Sequence, residues 1–149
     1  MTALQATLDA LETPLREQPL FPVEQPDGKR LIGETPRQTQ FVKLMRDLAP
    51  SCAVFANANA GKRAPRTAKL EGIVSGVFDM SVAWGGGHVA YPEFKGYAGG
   101  RAGKLSDNQI IWGNRMHRLG HHVACFFDPM SAVLWLQSIG APVRLRGGL

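Results

Sequence analysis

The stretch Gly76-Val-Phe-Asp-Met-Ser-Val-Ala-Trp-Gly-Gly-Gly-His-Val-Ala-Tyr-Pro-Glu-Phe-Lys95 decides how the chain is read. Two runs rich in β-branched and aromatic residues, 77–84 and 88–95, flank Gly85, Gly86 and Gly87, a pattern that predicts a β-hairpin. With the three glycines as the loop, Trp84 faces His88. Continuing that register sets Asp79 directly opposite Glu93, with Cβ atoms about 5 Å apart. Lys95 points to the same face, because side chains alternate along a strand. Opposed carboxylates repel, and a divalent cation resolves the conflict. Oxygen ligands from two carboxylates suit Mg²⁺ or Mn²⁺, which keep waters and bind phosphate through open positions. An ammonium beside such a site holds or helps deprotonate an attacking water. The same residues also read as a solvated strand face on which Lys95 simply pairs with the acids.

At 149 residues the chain is long enough to bury a real core, and it fits one domain preceded by a short extension. No run approaches the length of a membrane span, and the N-terminus lacks a basic region followed by an apolar one, so no membrane is expected and a cytoplasmic location is. Cys52 and Cys125 are too few for a disulfide framework and read as core thiols. The net charge of +5 conceals an asymmetry: residues 1–34 hold six acids and three bases, and residues 35–149 hold six acids and fourteen bases. A body at +8 suggests an anionic partner, nucleic acid being the commonest, although charge alone describes solubility equally well.

Leu4, Leu8, Leu11 and Leu15 recur at helical spacing within 2–18, and a Pro-rich connector follows, so 1–33 reads as a helix and linker ahead of a 34–149 domain. Thr35-Pro36 predicts the start of a second helix, with stripe Phe41, Leu44, Met45 and Leu48 and a stop at Pro50. Glu34 stands at its start, as an acid favoured near a helix N-terminus or as a metal ligand. Residues 51–56 predict a short strand. Asn57 to Arg66 is a polar, basic loop carrying Lys62, Arg63 and Arg66, either a phosphate grip or an ordinary solvated loop, and 67–73 a short helix. After the hairpin, 96–104 reads as a flexible basic crossing. Ser106 and Gln109 form an S-x-x-Q capping box that opens a helix through about Leu119. Residues 122–127 predict a strand, Asp128-Pro129 caps a last helix, and 143–145 is a possible edge strand. This order predicts an α/β fold with a mixed central sheet and flanking helices. His117, His121, His122 and Cys125 form a competing zinc-like set, though Gly120 interrupts its helical spacing.

The series Asn59 to Arg63, Ala68 to Gly72, Gly76-Val-Phe-Asp79, Glu93-Phe-Lys95, Leu105-Ser106, Gln109, Trp112 and Leu119-Gly120 resembles the VRR-NUC domain of the PD-(D/E)xK nuclease superfamily, closest in layout to small standalone versions from phages and bacteria. The likeness covers about 34–128. It implies a restriction-endonuclease-like αβββαβ core and a Mg²⁺- or Mn²⁺-dependent endonuclease in a bacterial or phage-infected cell. It implies Asp79 and Glu93 as metal ligands, the Phe94 backbone carbonyl as a further ligand, and Lys95 serving the water. Gln109 would sit beside them, and Glu34 would be the acid of the first helix. Lys62, Arg63, Arg66, Lys69, Arg101 and Lys104 are then the expected contacts to DNA. Members of this group include structure-selective nucleases, some similar to Holliday-junction resolvases that act as homodimers, which implies branched DNA as substrate. Phe78 stands where the family commonly has proline. The contrasting reading is a noncatalytic DNA-binding module that kept the fold.

Overall fold

The computed structural model describes residues 2–4, 16–57, 70, 72 and 74–145. Among them run α1 (Glu34–Leu48), β1 (Ala53–Ala56), β2 (Met80–Trp84), β3 (His88–Phe94), β4 (Tyr97–Ala98), β5 (Arg101–Ala102), α2 (Asp107–Arg118), β6 (His122–Phe126) and α3 (Pro129–Ser138). The fold is mixed α/β. Its central sheet has four strands in the order β1-β2-β3-β6, the first two pairings antiparallel and β3-β6 parallel through α2. No described helix is long and apolar enough to cross a membrane.

Alternation along the strands separates the two faces of the sheet. Met80, Val82, Trp84, Ala90, Phe94, Ala124 and Phe126 turn one way and pack with Phe41, Met45 and Leu48 of α1 and Ala132, Val133 and Leu136 of α3. Tyr91 and Val123 turn the other way, onto Trp112 and Met116 of α2 and onto Phe78 and Phe21. The larger core therefore lies under α1 and α3, and α2 covers the opposite face.

The hairpin register is as the glycines predict: Trp84 pairs with His88 and Val82 with Ala90, and Gly86 and Gly87 take positive φ in the loop. The ladder stops there, however, and does not continue to Asp79 and Glu93. Lys95 N–H donates to Phe126 O on β6, so alternation turns the ring nitrogen of Pro92 toward β2, where it has no hydrogen to give. One strand of the hairpin thus peels away while the pairing of β3 with β6 runs unbroken from Ala90 to Phe94.

Other boundaries differ from expectation. Helix α1 starts at Glu34 with Gly33 as its N-cap, so Thr35 is not the cap and Pro36 lies inside the first turn, where a missing N–H costs nothing. The basic crossing after β3 is an ordered two-strand hairpin, because Gly99 and Gly100 both adopt the positive φ that a tight two-residue turn needs. Residues 143–145 form no strand. The outer edge of β6 is already taken by the N-terminal connector, through the Val23↔Cys125 bridge and hydrogen bonds from Glu24 N–H to Cys125 O and from Cys125 N–H to Pro22 O. Arg144 N–H is left to cap the Leu48 carbonyl of α1. The expected helix over 67–73, most of the one over 2–18, and Lys62, Arg63, Arg66 and Lys69 lie outside the described residues.

The connector itself is built into the body. Phe21 is buried edge-on against Phe78, and Asn114, buried in α2, accepts from Leu20 N–H and donates to Gln18 O. Glu24 Oε1 accepts from the backbone N–H groups of both Phe127 and Asp128.

Candidate functional site

Three carboxylates converge where β2 and β3 part. Oxygen atoms of Glu34, Asp79 and Glu93 lie within 4.8 Å of one another, and burial deepens from Glu34 through Asp79 to Glu93, which has no accessible surface. Each comes from a different element: the first residue of α1, the residue before β2, and the penultimate residue of β3.

Glu93 is held at both oxygens. Asp79 N–H donates to Oε2 at 2.8 Å, so a side chain accepts the backbone donor released where the ladder ends. Gln109 Nε2 donates to Oε1 at 3.1 Å, and Lys95 Nζ lies 3.8 Å from the same oxygen. Gln109 meanwhile completes the capping box, its Oε1 accepting from Ser106 N–H while its own N–H donates to Ser106 Oγ. One side chain therefore both caps α2 and orients the buried acid.

Phe94 fixes the strand through its ring, stacked at a tilt 4.9 Å from Phe41. Its carbonyl belongs to the peptide whose N–H bonds β6. In a trans peptide that carbonyl points the opposite way, toward the fork that holds Asp79. Arg101 and Lys104 are exposed, the first on β5 and the second on the approach to α2.

The electrostatics are strained. Burial first, then the charge of Asp79, pushes Glu93 up to about 8, against the opposing pull of the Asp79 N–H and Lys95. Glu34 is also raised, chiefly by burial and further by Asp79. Three carboxylates against one ammonium leave the site at −2 when all are ionised. A hard divalent cation would balance that charge, and an all-oxygen donor set at this spacing fits Mg²⁺ or Mn²⁺. Among the described residues this is the gathered set of metal-ligating side chains. His117, His121, His122 and Cys125 do not assemble: the three histidines are exposed while the thiol is buried and pushed up to about 12 by that burial.

Several supporting residues escape sequence reasoning. Asn57 clamps the freed start of β2: its N–H donates to Asp79 O, its Nδ2 to Phe78 O, and its Oδ1 accepts from the buried Ser81 hydroxyl. The one signal was a serine inside an otherwise apolar strand. Arg37 is buried one turn beyond Glu34 and donates to Asp27, Lys29 O, Ile32 O and Phe127 O. Gly96 lies so close to α1 that an added Cβ would meet Gly33 C at 2.4 Å and Glu34 N at 2.5 Å. Gly76 does the same for α2, with a Cβ 2.2 Å from Asn108 O. The two helices that deliver Glu34 and Gln109 are therefore each seated on a glycine adjoining the site.

Comparison with family models, with curated proteins and with solved structures finds no match to this chain.

Proposed function

We propose that this protein is a metal-dependent endonuclease that hydrolyses phosphodiester bonds in DNA, built on a restriction-endonuclease-like core. The observation that supports the reading best is the convergence of Glu34, Asp79 and Glu93 with Lys95 at the fork between β2 and β3. Glu34, Asp79 and Glu93 would hold Mg²⁺ or Mn²⁺, with the Phe94 carbonyl as a further oxygen. The bound ion would supply Lewis acidity to the scissile phosphate and a lowered pKa to a water.

The chain's own groups do the rest. Gln109 and the Asp79 N–H keep the Glu93 carboxylate aimed at the fork. The Lys95 ammonium orients the attacking water and offsets negative charge that builds on the phosphate. Lys62, Arg63, Arg66, Lys69, Arg101 and Lys104 neutralise neighbouring phosphates, a sequence-independent grip. Branched DNA such as a four-way junction is the proposed substrate, and a homodimer the proposed assembly, since paired nicks across a two-fold junction need two sites related by the same symmetry.

The test is a cleavage panel of linear, nicked, branched and single-stranded DNA with the full chain in Mg²⁺, Mn²⁺ or EDTA. Metal-dependent cleavage of branched forms is expected, lost in Asp79→Asn with DNA binding kept. Intact DNA at every protein concentration would overturn the enzyme and leave a noncatalytic DNA-binding module.

A further inference from the structure

We propose that the turn Asp27–Ile32 is a preformed DNA-contacting element in which Leu31 enters the opened base stack of a branch point while Lys29 and Arg30 take the flanking phosphates. The proposal rests on the nuclease reading for the identity of its partner.

Leu31 is fully exposed, and Lys29, Arg30 and Ile32 are exposed beside it. A lone surface leucine is ordinary. Here the backbone beneath it is held from several directions. Lys29 N–H donates to Asp27 Oδ1, Arg30 N–H to Gly28 O and Ile32 N–H to Lys29 O. Gly28, at φ +76°, donates its N–H to the Tyr97 hydroxyl, and Tyr97 N–H donates to Ile32 O. From below, Arg37, itself 2 % exposed, donates Nη2 to Lys29 O and Nε to Ile32 O and pairs with Asp27. A buried guanidinium is an expensive way to hold a surface turn. The result is an apolar tip displayed in water at a fixed place, with its ordering entropy already spent before any partner arrives.

Place and charge select the partner. Leu31 stands three residues before Glu34, so its Cα lies within about 11 Å of the Cα of that member of the carboxylate cluster. Asp27 is paired with the buried Arg37, and Lys29 and Arg30 are the exposed cations of the turn. Two cations immediately preceding an exposed apolar side chain match a nucleic acid whose bases are accessible beside its phosphates, and unstacking costs least where stacking is already broken. A continuous duplex offers the phosphates without the opening, so this geometry favours branched over linear DNA.

The experiment measures binding of the full chain to a labelled four-way junction and to a linear duplex of equal length, in Ca²⁺ and in EDTA, with 2-aminopurine at the branch. Leu31→Ala, a change at an exposed position, is expected to weaken junction binding about tenfold and duplex binding less than twofold, and to abolish the 2-aminopurine signal. Lys29→Ala with Arg30→Ala is expected to weaken both substrates alike and to lower the slope of log affinity against log salt by about 2. An unchanged junction-to-duplex ratio in Leu31→Ala overturns the proposal, as does wild-type binding to phosphatidylserine vesicles in place of DNA. Leu31-dependent junction binding without cleavage in Mg²⁺ or Mn²⁺ supports the turn and removes the nuclease, whereas cleavage with Leu31 irrelevant does the reverse.

Discussion

Glu93 couples the stability of the metal-free protein to pH, and Glu93→Gln isolates that coupling. A carboxyl raised from 4.5 to about 8 in the folded chain is protonated in both states below 4.5; above that the unfolded chain releases the proton while the fold keeps it, so stability falls with pH. Its contribution is therefore intact below about pH 4.5 and is lost as pH rises through 8. The full shift corresponds to roughly 5 kcal/mol, of which about 4 kcal/mol falls between pH 5 and 8.5. Glu34, also raised, adds in the same direction. Set against the 5–15 kcal/mol that holds a typical domain together, a loss of this size is a large share of the total. Urea denaturation in EDTA at pH 5, 7 and 8.5 measures it. Glu93→Gln should show a much flatter profile, and Mg²⁺ should restore the wild type most at high pH, since binding must displace the Glu93 proton. Stopping at 8.5 keeps the Cys125 thiol, pushed up to about 12, out of the titration. A wild-type profile that is level or rising, and matched by Glu93→Gln, would refute the account of an acid whose burial outweighs its partners.

Four further outcomes follow from the same geometry. Gln109→Glu keeps an acceptor for Ser106 N–H but turns a carboxylate toward Glu93, so cleavage should fall steeply while the melting temperature in EDTA at pH 5 changes little; unimpaired cleavage would leave only the capping role. Gly96→Ala drives a Cβ into the Gly33–Glu34 backbone, and about 3 kcal/mol of stability should be lost in chemical denaturation together with Mg²⁺ affinity. Asp79→Asn should lose metal-dependent cleavage and bind DNA at least as tightly as wild type in EDTA, by anisotropy, because one repulsive charge is gone. Removing residues 1–32 strips Asp27 from the buried Arg37 and Phe21 from Phe78; at least about 3 kcal/mol should go, and a truncated chain that melts with the full one would contradict the role given to the connector.

Several periodic or positional signals in the sequence hold in the structure. The three glycines announced the hairpin and its Trp84–His88 register, the apolar stripe announced α1, and the Ser106–Gln109 spacing announced a capping box that is complete in both directions. Asp79, Glu93 and Lys95 were legible because strand alternation puts all three on one face, although the pairing that was expected to join the two acids gives way to a side-chain bridge at Pro92. What stayed hidden depends on long-range contacts that no local pattern encodes. Arg37 reads as one more helix cation until residues 27–32 and 127 close around it, and Asn57 reads as the first residue of a loop until β2 peels back onto it. Prolines made the connector look like a linker; its backbone groups find their partners on β6 and α2 instead.

Four costly irregularities of this fold fall in one place. Pro92 deletes a ladder hydrogen bond in an interior strand, a position where proline is ordinarily excluded. Glu93 buries a carboxyl in a site already rich in negative charge. Gly76 and Gly96 give up side chains so that two helix starts can approach the backbone within van der Waals distance. Any one of these would be an unremarked compromise elsewhere in a domain of this size. All four lie within two strand ends and two helix N-termini, and each acts on the same coordinate: Pro92 opens the fork, Glu93 fills it, Gly96 brings in Glu34, and Gly76 brings in Gln109. A sequence selected for stability alone would repair them independently, with a β-branched residue at 92, an apolar residue at 93 and alanine at the glycines after a slight withdrawal of the helices. Local choices that oppose the fold and agree with one another are the mark of a site. What they assemble is three carboxylates with an ammonium alongside, the arrangement on which the proposed metal-dependent chemistry rests.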